Sequence, residues 1–242
     1  LAPKTLEGAP VIRHLVSRDM TIRKAIRGLR GVLGAAAALG IGPCLMRGAD
    51  SAPPRTIVFF GDSLTAGYGL PDPGTQSFPA RVQAHIDAEH LPWHVENAGL
   101  SGETSAGGLR RIDWVLNRRP DVFFLELGAN DGLRGTAPEV TLANLQAIID
   151  KVQTRYPGTP VVIAGMRMPP NMGADYDEAF RATFITLATR NHATLVPFLL
   201  EGVARDSALN QADGIHPNPT GAALVADTVW KVVRPVLLQG SR

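Results

Sequence analysis

Residues Thr56–Gly67 read TIVFFGDSLTAG: five β-branched or aromatic residues in a row, then Gly61-Asp62-Ser63, then small and polar residues. A short apolar run with no polar alternation suits a strand buried on both faces, and the Gly-Asp pair after it punctuates the end. The same pattern returns at Trp93–Ala98, Val122–Leu127 (VFFLEL), Val161–Gly165 and Thr194–Pro197. Between these runs, apolar residues recur at helical spacing over Phe78–Glu89, Ser105–Asn117, Pro138–Tyr156, Tyr176–Asn191 and Pro219–Leu237. Pro79, Pro138 and Pro219 stand near helix starts, where a missing N–H costs little. Strands alternating with helices predict an α/β fold, a three-layer α/β/α sandwich on a five-stranded parallel sheet. Such a sheet binds ligands beyond the C-terminal ends of its strands.

Composition narrows the class. With 45% apolar residues and a net charge of +2 over 242 residues, the chain is globular and long enough for a full core. The single cysteine, Cys44, excludes a disulfide within the chain. Charge is unevenly spread: residues 1–51 hold eight Lys/Arg against three Asp/Glu, and residues 52–242 hold sixteen against nineteen. The remainder therefore lacks the basic footprint of a nucleic-acid binder.

The first 51 residues read as an address and residues 52–242 as a single domain. Residues 1–19 show no periodicity, and Met20 is the expected start. From there Arg23, Lys24, Arg27 and Arg30 precede the small, apolar run Gly31–Gly42. That is the pattern of a secretory signal peptide, with cleavage expected after Ser51. An uncleaved N-terminal anchor and a buried helix are the other readings. Export to the periplasm or medium follows from the first, and Pro43 beside Cys44 fits a lipidation site poorly.

Four stretches at strand ends carry polar residues suited to chemistry. Ser63 follows the first strand directly, but serine is a weak nucleophile without a base. Asp213 and His216 lie three residues apart in Asp213-Gly214-Ile215-His216-Pro217, close enough for the carboxylate to orient the imidazole. After the second strand comes SGETS with Gly102, and after the third GANDG with Asn130. A glycine N–H and an asparagine amide are donors fit for a developing oxyanion. Taken singly, each also has an ordinary reading: a strand-end serine, a capping aspartate, a turn glycine, a turn asparagine. Together they face one crevice.

These four blocks resemble the GDSL, or SGNH, hydrolase family, in the family's order and over nearly the whole chain from Thr56 onward. Leu125–Gly135 (LELGANDGLRG), Arg167–Phe180 (RMPPNMGADYDEAF) and Asp213–Asn218 (DGIHPN) are most similar to its periplasmic arylesterase, acyl-thioesterase and lysophospholipase branch. The resemblance implies a flavodoxin-like sheet of strand order 2-1-3-4-5. It implies Ser63 as nucleophile, His216 as general base and then acid, and Asp213 as its orienter. It also implies an oxyanion hole from the N–H groups of Ser63 and Gly102 and the Asn130 side chain. No cofactor is implied. The α/β-hydrolase elbow G-x-S-x-G is not matched, because Thr65 stands at its second glycine.

Other residues take plainer readings. Asp62 and Asp131 read as turn carboxylates that bond nearby backbone. His85, His90, His94 and His192 read as surface or satisfied histidines. No metal is expected, since no second ligand sits at metal spacing from them, and without H-E-x-x-H or G-x-x-x-x-G-K-[ST] neither zinc hydrolysis nor P-loop chemistry is supported. Tyr68 and Leu70, with Met168 and Pro169 from the loop over Met166–Tyr176, are candidates to line an acyl pocket. The expected function is a serine esterase for carboxylic esters or thioesters. Its partner would be a small-molecule ester or lipid, with no nucleic acid and no obligatory protein partner. A carbohydrate deacetylase or acyltransferase on the same fold, and a non-catalytic acyl- or lipid-binding protein, are the alternatives.

Overall fold

The computed structural model describes residues 53–239. Strands β1 (Arg55–Gly61), β2 (Trp93–Gly99), β3 (Val122–Glu126), β4 (Val161–Ala164) and β5 (Thr194–Val196) form one parallel sheet in the order β2-β1-β3-β4-β5. The helices are α1 (Ser63–Ala66), α2 (Pro73–Gln76), α3 (Phe78–Ala88), α4 (Ser105–Val115), α5 (Ala129–Leu133), α6 (Pro138–Arg155), α7 (Ala174–Asn191) and α8 (Pro219–Gln239). The α/β sandwich and its strand order are those expected from the sequence. The five longer helices start within two residues of the expected positions. The one-turn helices α1, α2 and α5 were not legible, because four or five residues are too few to show a period. The address expected over residues 1–51 lies outside the described residues. No helix among the described residues is long and apolar enough to cross a membrane.

The apolar runs became strands because both faces of the sheet are covered. Every residue of β3 and β4 is buried. Phe59, Phe124 and Phe78 meet on one face, with ring centroids 4.6 to 6.1 Å apart. Phe60 and Phe123 pack on the other, 5.7 Å apart. Strand order reverses after β2, so right-handed crossovers put α3 on one face and α4, α6 and α7 on the other. Helix α8 then packs against α3.

That reversal positions the site. The chain leaves β1 toward β2, and leaves β3 toward β4. A crevice therefore opens between the C-terminal ends of β1 and β3. Ser63 follows β1 and Asn130 follows β3, one on each side of it.

Candidate active site

Ser63 is the first residue of α1, not a strand residue. The preceding Asp62 caps this helix: its Oδ1 accepts the Leu64 N–H at 3.0 Å, and Gly67 ends the turn in a left-handed conformation. A residue at the first helical position has no acceptor for its N–H within the helix. The Ser63 N–H is thus left without an intrahelical partner on the same residue as the hydroxyl.

His216 reaches Ser63 from the long connection between β5 and α8. Its Nε2 lies 2.8 Å from Ser63 Oγ, and its Nδ1 lies 2.7 Å from Asp213 Oδ2. The second Asp213 oxygen accepts the backbone N–H groups of Ile215 and His216 at 2.9 and 3.0 Å. Burial pushes the Asp213 carboxyl up, but the two backbone N–H groups and the imidazole outweigh it and hold the acid down at about 2. An ionised Asp213 needs a proton on Nδ1, which leaves Nε2 as the acceptor for the Ser63 hydroxyl. Gln211 braces the loop: its N–H donates to His216 O at 2.8 Å, and its side-chain amide donates to Tyr68 O and Pro217 O at 2.7 and 3.0 Å. The Tyr68 ring lies 4.8 Å from the imidazole.

Gly102 and Asn130 stand on the far side of Ser63. Gly102 has φ +78°, and a Cβ placed there would touch nothing within 4 Å, so its backbone faces open space. No acceptor for its N–H occurs among the described residues. Asn130, the second residue of α5, is differently placed from the expectation of a waiting donor. Its Nδ2 already donates to Asp62 Oδ2 and to Glu103 O, each at 3.0 Å. Asp131 is structural: buried, it accepts the Ser105 N–H at 2.7 Å and the Ser105 hydroxyl at 2.5 Å, and so anchors the start of α4.

Ser63, His216, Asp213, Gly102 and Asn130 all border one open cavity of about 900 Å³. Tyr68, Met168 and Pro169 line it as well, with Leu133, Phe198 and Ile215. Leu70 does not. It is buried, and with Phe78 and Val225 it closes a water-sized recess behind Ser63 and His216. Asp177 stiffens the Met168 wall: it accepts the Met168 N–H at 2.7 Å and pairs with Arg167 at 2.5 Å.

Residues 59–224, which include Ser63, Gly102, Asn130, Asp213 and His216, match the GDSL-like lipase/acylhydrolase family. The chain belongs to that family. Over 184 residues it is 38% identical to esterase TesA of Pseudomonas aeruginosa, covering 76% of this chain and 90% of the relative. Over 183 residues it is 35% identical to thioesterase 1/protease 1/lysophospholipase L1 of Escherichia coli, covering 75% and 85%. The crystal structure of the psychrotrophic esterase EstA from Pseudoalteromonas sp., inhibited by monoethylphosphonate, superimposes with a TM-score of 0.71. That pair is 34% identical over 76% of this chain and 99% of EstA. As a GDSL hydrolase, the protein is an ester-bond hydrolase.

Three supports of this GDSL site escaped the sequence reading. Glu103, next to Gly102, is buried and pairs with Arg111 through Nε and Nη2 of its guanidinium, and Arg111 Nη2 also donates to Ala98 O at 3.0 Å. The Arg111 guanidinium lies 4.4 Å from the centre of the Phe60 ring, which ties the Gly102 loop to the core. Gln211 links the histidine loop to Tyr68. Glu126 is wholly buried beneath Ser63, where burial and then the charge of Asp62 hold its carboxyl well above the usual carboxylate range. A glutamate inside VFFLEL is the only one of the three that left a visible sign, a charge in an otherwise apolar strand.

Proposed function

We propose that the protein is a serine esterase that hydrolyses carboxylic esters or thioesters through an acyl-enzyme on Ser63. The observation that carries this reading is the unbroken hydrogen-bonded chain from Ser63 Oγ through His216 to Asp213, opening on the large cavity. In the first step His216 Nε2 takes the hydroxyl proton as Ser63 attacks the acyl carbonyl, and Asp213 steadies the imidazolium that forms. The carbonyl oxygen becomes an oxyanion within reach of the Ser63 and Gly102 N–H groups and the Asn130 amide. His216 then protonates the departing alcohol or thiol. A water, activated by the same imidazole, attacks the acyl-enzyme and restores Ser63.

The cavity wall supports an acyl chain as the recognised group. Leu133, Met166, Met168, Phe198 and Leu200 are apolar, and methionine adapts readily to chains of different length. That surface suits a fatty acyl group better than a sugar ring, so the deacetylase reading is the weaker one. Residues 52–242 constitute the catalytic domain in this proposal. The basic and apolar pattern of residues 20–51 supports export, where a lysophospholipid or an exogenous ester would be the substrate. The test is turnover of p-nitrophenyl esters of increasing acyl length by the purified chain. Hydrolysis rising with acyl length is expected. Binding without turnover would make the protein an acyl carrier, and preference for acetylated sugars would restore the deacetylase.

A further inference from the structure

Glu126 is the most deeply placed ionisable group near the site, and the reaction as described gives it no part. It ends β3 opposite Gly61 in the sheet register and is fully buried. Its Oε2 accepts the Asp62 N–H at 3.1 Å and the Thr65 hydroxyl at 2.7 Å. Asp62 immediately precedes Ser63 and Thr65 follows it by two residues, so one buried carboxyl grips the serine turn from both sides. Gly61 makes the room for it. A Cβ at that position would lie 2.5 Å from Glu126 Oε2 and 2.1 Å from Thr65 Oγ1, distances no real side chain tolerates. The glycine of Gly-Asp-Ser therefore admits the Glu126 carboxyl.

The protonation of this carboxyl follows from its surroundings. Glu126 Oε1 has no hydrogen-bond partner, and Asp62, hydrogen-bonded to the Glu126 side chain, is itself buried. Two carboxylates side by side away from water repel and lose their solvation, so the pair retains a proton. Asp62 has the better donors for an anion: the Leu64 N–H, the Asn130 amide and, at longer range, a charged His216. Glu126 has the two on Oε2 and the nearby Thr65 N–H, and nothing on Oε1. A proton on Glu126 gives the carboxyl, whose Oε1 has no partner, a donor toward Asp62. The titratable groups bearing on the pair are the two carboxyls themselves and His216 acting on Asp62.

We propose that Glu126 is a positioning residue, a neutral acid that fixes the Ser63 turn through Asp62 and Thr65 and leaves Asp62 as the anion that orients the Asn130 amide. This rests on Ser63 being the nucleophile. The test compares Glu126→Ala, Glu126→Gln and Thr65→Val with wild type by steady-state kinetics, by the rate of labelling with an organophosphonate, and by infrared spectroscopy. A misplaced nucleophile slows chemistry more than binding. Glu126→Ala is expected to lower kcat by roughly 10- to 100-fold with KM little changed. Glu126→Gln keeps an acceptor for both donors and a donor toward Asp62, so it should recover kcat to within about threefold of wild type. Thr65→Val, which keeps the shape and loses one of the two grips, should slow both kcat and labelling severalfold. The wild-type infrared spectrum should show a protonated-carboxyl band at neutral pH that Glu126→Gln lacks.

Three outcomes would overturn the proposal: no such band, a Glu126→Gln enzyme in which kcat falls tenfold or more, or wild-type kcat in Thr65→Val or in folded Glu126→Ala. Should Glu126→Ala not fold, the infrared band, Glu126→Gln and Thr65→Val decide alone. Ser63→Ala, labelled alongside, separates the two layers of the argument. If it still labels, the nucleophile is wrong. If it does not label while Thr65→Val and folded Glu126→Ala react at the wild-type rate, only the positioning role is wrong.

Discussion

Asn130→Ala is the perturbation whose size the geometry sets most directly. Removing an unencumbered oxyanion-hole donor costs about 2.7–4 kcal/mol in kcat, a loss of roughly 10²–10³. The Asn130 amide is not unencumbered, because both its N–H groups already bond, one to Asp62 Oδ2 and one to Glu103 O at 3.0 Å. To serve an oxyanion it must give up or share the bond to the neutral Glu103 carbonyl, worth about 0.5–1.5 kcal/mol net. The remaining benefit is about 2–3 kcal/mol, so kcat should fall roughly 30- to 150-fold, with KM little moved. The same change takes a donor from the buried Asp62 carboxylate at a cost of about 1–3 kcal/mol, which lowers Tm by about 2–12 °C in a domain of this size. The assay is initial rate on a p-nitrophenyl ester, normalised to active sites titrated with an organophosphonate, beside thermal unfolding of the same preparation. A normalised kcat within about threefold of wild type, with only Tm reduced, would refute the reasoning and leave the oxyanion to the Ser63 and Gly102 amides.

Other perturbations test the supports. Gly61→Ala would drive a methyl group into Thr65 Oγ1 and Glu126 Oε2; it should cost about 3 kcal/mol or more and depress kcat, checked by urea unfolding and by rate. Arg111→Met strands the Glu103 carboxylate, whose side chain is only 4% exposed. A loss of ~3 kcal/mol is expected, together with slower turnover as the Gly102 loop loosens. Burial, opposed by the Leu64 N–H and the other donors, holds the Asp62 carboxyl at about 6 against an ordinary 3.8. The folded state then binds more protons than the unfolded one between those values, so stability should fall as pH rises through that window. In Asp62→Asn that segment of the Tm-against-pH curve should flatten, and a curve unchanged from wild type would contradict the assignment.

What the sequence reveals depends on how local the cause is. TIVFF and VFFLEL declare buried strands because the burial signal sits in consecutive residues. Asp213 and His216 can be paired on paper because three residues on one loop bring them together. Asn130 could be placed at the right strand end, but its two existing bonds come from Asp62 and Glu103, 68 and 27 residues away. Leu70 looked like a pocket residue beside Tyr68, yet the turn after α1 sends Tyr68 outward and Leu70 into the core. The Glu103–Arg111 pair and the Glu126 grip on the Ser63 turn join a loop to a helix and one strand end to another. Sequence spacing gives no measure of such contacts.

The claim on which the rest depends is that Ser63 carries the acyl group. Intact-mass and peptide analysis after reaction with an organophosphonate tests it in one experiment, run beside turnover of a p-nitrophenyl ester. Wild type should gain a single adduct, located at Ser63, and lose activity in step with it. Ser63→Ala should stay folded, gain no adduct and show no turnover. An adduct elsewhere, or wild-type turnover by Ser63→Ala, would contradict the assignment.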